Sequence, residues 1–116
     1  MAQQKRTPII KTGSISYGRN VGRNIISLAA KEISGVAALH GRGIRLEVYG
    51  KTINCDVFIV MEYGYSVPDV AYRVQENIKR GIETMTEYRM DTINISVLGV
   101  HFPNEEAIEE TPRVNS

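Results

Sequence analysis

Residues 65–102, YSVPDVAYRVQENIKRGIETMTEYRMDTINISVLGVHF, constrain the fold more than any other stretch, because they carry two different periods back to back. Val70, Val74, Ile78, Ile82 and Met85 recur at helical spacing, with Ala71 and Gly81 beside them. Burying those five large side chains contributes roughly 1.5–3 kcal/mol each before ordering entropy is subtracted. Pro68 suits the first helical position, which leaves Ser66 or Val67 as the cap. Asp69 with Arg73, and Glu76 with Arg80, stand four apart with the acid first, the favourable order for a helical ion pair. Gly81 costs about 1 kcal/mol against Ala inside a helix, and its place on the apolar face points to a close approach to a strand. Ile93, Ile95 and Val97 then alternate with Thr92, Asn94 and Ser96, the period of a strand with one buried face. Leu98, Val100 and Phe102 break the alternation, so that end is covered on both faces or forms a contact surface.

Upstream, Val21, Ile25, Leu28, Ala29 and Ile33 predict a first helix over about 18–34, with Ser16 as its cap and Gly35 as its left-handed end. Two short strand candidates, 13–17 and 36–39, flank it. Ile44, Leu46 and Val48 alternate with Arg45, Glu47 and Tyr49, Gly50-Lys51 makes a hairpin turn, and the strand returns over 52–63. Ile53, Cys55, Val57, Ile59, Met61 and Tyr63 line one face of that strand; Asn54, Asp56, Phe58, Val60 and Glu62 line the other.

The fold class that follows is α+β, a two-layer sandwich with two main helices on one face of a mixed sheet of four to five strands. The domain spans 13–103, between a basic flexible arm (1–12, with Lys5, Arg6 and Lys11) and an acidic tail (104–116) that holds a possible short helix. The sheet's second face is left open. It mixes polar residues with an apolar island, and Phe58, Val60, Leu98 and Tyr49 are the candidate interaction surface.

The sequence offers little chemistry. A net charge of +1 argues against nucleic-acid or membrane attraction by bulk charge. The single Cys55 excludes an internal disulfide, fits a reducing compartment and points to the core. The longest apolar run, Val57 to Met61, is too short to span a bilayer, so no direct membrane insertion is expected. His40, His101 and Cys55 have no metal-ligand spacing, and His101 reads as a structural histidine facing inward at a strand end. No phosphate loop, dinucleotide fingerprint or Gly-x-x-Gly clamp occurs. Arg19, Arg23, Arg42 and Arg45 are the candidate anion contacts, set against the plainer reading of exposed arginines.

The segments 13–16 (GSIS), 32–36 (EISGV), 61–64 (MEYG), 67–70 (VPDV), 74–77 (VQEN) and 93–100 (INISVLGV), taken in order, resemble the alkaline-shock, envelope-stress-response protein family of Gram-positive bacteria. Tyr17-Gly18 departs from the family, where an acidic residue commonly follows the serine. The resemblance implies a cytoplasmic, non-enzymatic protein without cofactors, linked to cell-envelope stress, with one branch held at the membrane by a small membrane-protein partner. The expected function is therefore self-association, as a homo-oligomer, or docking to a protein partner that is itself membrane-anchored. The alternatives are an RNA- or phosphate-binding module and a regulator of lipid metabolism.

Overall fold

The computed structural model describes residues 13–14 and 18–103, with Arg19 described in its backbone alone. The basic arm, residues 15–17 of the first strand candidate, with the expected Ser16 cap, and the acidic tail lie outside the described residues. The elements run α1 (Arg19–Lys31), β1 (Val36–Tyr49), β2 (Thr52–Glu62), α2 (Val67–Met85) and β3 (Arg89–His101). The strands form one sheet in the order β1-β2-β3.

Each connection follows from length and turn chemistry. Two residues, Gly50 and Lys51, join β1 to β2, so that pair is antiparallel, with Tyr49 opposite Thr52 and Gly50 at φ 60°. The β2–β3 pair is parallel and needs a crossover, which α2 supplies. Ser66 is the α2 cap: its Oγ accepts from the Asp69 N–H at 3.3 Å. The α1 cap is Gly18, which has no side chain to offer, and the helix ends at Lys31, a turn earlier than its spacing predicts. Gly35 turns the chain into β1 at φ 104°.

Three strands, not four to five, make up the described sheet. The expected pieces 36–39 and 44–48 are one strand interrupted by a large bulge. Leu39 pairs with Ile59 and Ile44 with Val57, so residues 40–43 all stand opposite Phe58. Two glycines in HGRG let the strand bend there without ending.

Both helices cover the same face of the sheet. Ile26, Val57, Ile59, Val74, Ile78 and Ile82 are fully buried between the layers. Gly81 approaches α1 rather than a strand: a Cβ there would lie 3.2 Å from the Ile25 side chain. Asn77 ties the helices together beside it, its Nδ2 donating to the Ala29 carbonyl at 2.8 Å and to Glu32 Oε1 at 3.0 Å.

Candidate interaction surfaces

The open sheet face is uncovered by either helix, and it is mainly polar. Arg45 stands opposite Asp56, and Glu47 opposite Asn54. Across the β2–β3 pair, Asn94 Nδ2 donates to Asp56 Oδ1 at 2.9 Å, and the Thr92 N–H donates to Asn54 Oδ1 at 3.0 Å. Asp56, Asn94 and Asn54 thus already have partners within the sheet, which lowers the gain from covering them with another molecule.

The apolar island is not contiguous. Phe58 is only 9% exposed. The β1 bulge carries Arg42 over its ring, with the guanidinium carbon 5.0 Å from the centroid. The expectation of Phe58 as a contact residue is corrected by that bulge, whose register no alternation pattern reveals. Val60 is half-buried; a Cβ on Gly99 would lie 3.8 Å from its methyl groups. Leu98 and Tyr49 are exposed, but at opposite ends of the face. Tyr49 pairs at Thr52 and Leu98 lies beside Val60, eight residues along β2, or about 26 Å at strand rise. The Tyr49 hydroxyl donates to Glu47 Oε1 at 3.1 Å, which holds its pKa above the ordinary phenol value.

Of the described candidate anion contacts, Arg23 and Arg45 line one concave region, but with Glu47 and Asp56 beside them, and Arg42 stands apart. Arg23 Nη1 donates to the Ile44 carbonyl on the outer edge of β1, Arg42 lies on Phe58, and Arg45 faces the acid Asp56. His101 sits on the open side rather than inward, with Nδ1 3.2 Å from Glu62 Oε1. Cys55 is buried in the core, and desolvation, with Asp56 nearby, pushes its thiol up to about 12. No group of three potential metal ligands occurs among the described residues.

Two further concave regions lie away from the open sheet face. One is an apolar cavity of about 240 Å³ between the start of α1 and the end of α2, lined by Gly22, Leu46, Val48, Ile53, Ile82 and Tyr88. Its polar member, Thr86, is committed: its Oγ1 donates to the Ile82 carbonyl at 2.7 Å and accepts from the Tyr88 N–H at 3.0 Å. The other is an apolar groove of about 520 Å³ between α1 and α2 on the side away from the sheet. Val21, Leu28 and Met85 line it at 41%, 61% and 66% exposure. Helical spacing places all three on buried stripes; the structure buries Ile26 and Ala30 in place of Val21 and Leu28, and leaves Met85 outside. A sequence signal existed: Val21, Ile25, Ile26, Leu28, Ala29, Ala30 and Ile33 cover too wide an arc for one buried face, so some had to point outward.

Comparison with known proteins settles the kinship. Residues 37–102 match the alkaline shock protein 23 family, described by a cell envelope-related function. The chain belongs to that family. Among its relatives is the uncharacterized protein YqhY of Bacillus subtilis, 31% identical over 106 residues, covering 78% of each chain. Another is the uncharacterized protein Spy1535 of Streptococcus pyogenes, 25% identical over 115 residues, covering 87% of this chain and 84% of the relative. Among solved structures, the chain's fold resembles a nickel form of the MamM CTD, with a TM-score of 0.58, 20% identity and coverage of 69% of this chain and 96% of that one. A copper form gives a TM-score of 0.59 at 19% identity, covering 71% and 98%. At such identity the likeness establishes the shared fold alone. No described helix of this family member is long and apolar enough to cross a membrane.

Proposed function

We propose that this alkaline-shock family member is a non-enzymatic interaction protein of the cell envelope, acting by self-association and by docking to a membrane-associated protein partner. The observation that carries the docking reading is the groove between α1 and α2. Three large apolar side chains there stand in solvent although the core beneath them is complete without them. Exposed apolar groups rimmed by Asn24, Glu32, Asn77 and Arg80 are the usual composition of a docking groove. Its shape, a trough between two helices, suits the apolar face of a partner helix.

Replacing Leu28 and Met85 together by Glu tests this reading. In cells of a Gram-positive host, site-specific photo-crosslinking from Asn24 should capture a membrane-fraction protein, and the double variant should lose that product while unfolding at the wild-type temperature. Undiminished cross-linking in the folded variant would overturn the groove assignment.

A further inference from the structure

The two outer strands of the sheet are finished differently. β1 is blunted in three ways: the 40–43 bulge interrupts it, Arg42, Arg45 and Glu47 charge it, and Arg23 occupies the Ile44 carbonyl. These are the usual devices against edge pairing. β3 is blunted only over its first half. Glu83 accepts from the Met90 N–H at 2.9 Å, and Gln75 Nε2 donates to the Ile93 carbonyl at 2.9 Å. Beyond Ile93 no described strand lies along its outer side.

We infer that this second half of the β3 edge pairs antiparallel with the same edge of a second copy, continuing the two sheets into one of six strands. Three observations on different properties meet here. The stretch Thr92 to Val100, TINISVLGV, contains no charge and no proline. A two-fold axis sets the edge against itself, each residue opposite another of the same stretch, so a charged edge would repel itself; this one does not. Ile93, Ile95 and Val97 belong to the helix-covered face but are only half-buried, whereas their β2 neighbours Cys55, Val57 and Ile59 are buried. A continuing sheet would complete their cover. Backbone groups alternate in direction along a strand, so the outward Ile93 carbonyl places those of Ile95 and Val97 outward too, and an extended partner would satisfy them. A second copy satisfies all three features at once.

This inference rests on the interaction reading above but uses a separate surface, so the two fail separately. Sedimentation equilibrium of the full chain should give a reversible dimer. Asn94→Lys with Ser96→Lys should weaken it at least tenfold, and Asn94→Glu with Ser96→Glu likewise. An equimolar mixture of the two variants should restore the dimer by pairing opposite charges. The Leu28 and Met85 variant should dimerise like wild type. A wild-type chain that stays monomeric at high micromolar concentration, or charged variants that dimerise unchanged, would overturn the inference. Should a charged variant not fold, amide exchange of the wild type decides: protection at Ile95 and Val97 should rise with protein concentration, and protection independent of concentration refutes the pairing.

Discussion

At the residue scale, position within the two layers decides chemistry. Cys55 is the only thiol, and its place in the buried face of β2 removes it from reactivity. With its pKa pushed up to about 12, the thiolate is scarce at neutral pH. In the native protein it should resist an aromatic disulfide reagent at pH 8 and react at once in denaturant, and absorbance of the released thiolate follows both. Arg42 shows the opposite logic: an exposed charge whose work is to cover an apolar ring. Arg42→Ala should uncover Phe58 and lower stability by about 0.5–1 kcal/mol, measured by urea unfolding. Phe58 was legible as apolar but not as covered, because the cover comes from a bulge four residues long.

At the element scale, α2 and β3 behave as their periods demand, and one carboxylate helps join them. Glu83, near the end of α2, accepts from the Met90 N–H at the start of β3 and pairs with Lys79 at 3.1 Å. The backbone N–H, then Lys79, hold its carboxyl below the usual carboxylate value. A group whose folded pKa is depressed stabilises while it is ionised, so its contribution is present above the unfolded pKa of about 4.5 and is lost as pH falls through the lower folded value. Glu83→Gln should therefore flatten the acid side of the stability profile below about pH 4.5, with thermal unfolding across pH 2–7 as the measurement. Capping of α2 by Ser66 followed from composition, since a hydroxyl before Val-Pro-Asp is the one group there that can accept from the first turn. α1 resisted the same reasoning because its cap, Gly18, carries no side chain that composition could mark as an acceptor.

At the scale of the whole molecule, among the described residues, the two helices fill one side of a three-stranded sheet and leave three surfaces outside: a polar sheet face, an uncharged stretch of the β3 edge and an apolar trough between the helices. The trough residues contribute little to folding. Replacing Val21, Leu28 and Met85 singly by Gln should change stability by no more than about 0.5 kcal/mol, whereas Ile26→Ala should cost about 2–5 kcal/mol, both read from denaturant midpoints. The contrast separates the exposed trough, which we propose as a docking surface, from the apolar surface buried in the core.

Local periodicity was enough for the sequence to determine two helices, a hairpin, an alternating final strand and their shared layer, because each of those depends on neighbours within a few residues. The sequence motifs also carried the family. Tertiary structure alone decided which apolar helix residues face the sheet, that four residues of β1 oppose one of β2, and that β3 is the last of the described strands. Those features depend on register and rotation between segments far apart in the chain, and a change of one residue in register or a fraction of a turn in rotation exchanges buried for exposed without altering any local pattern.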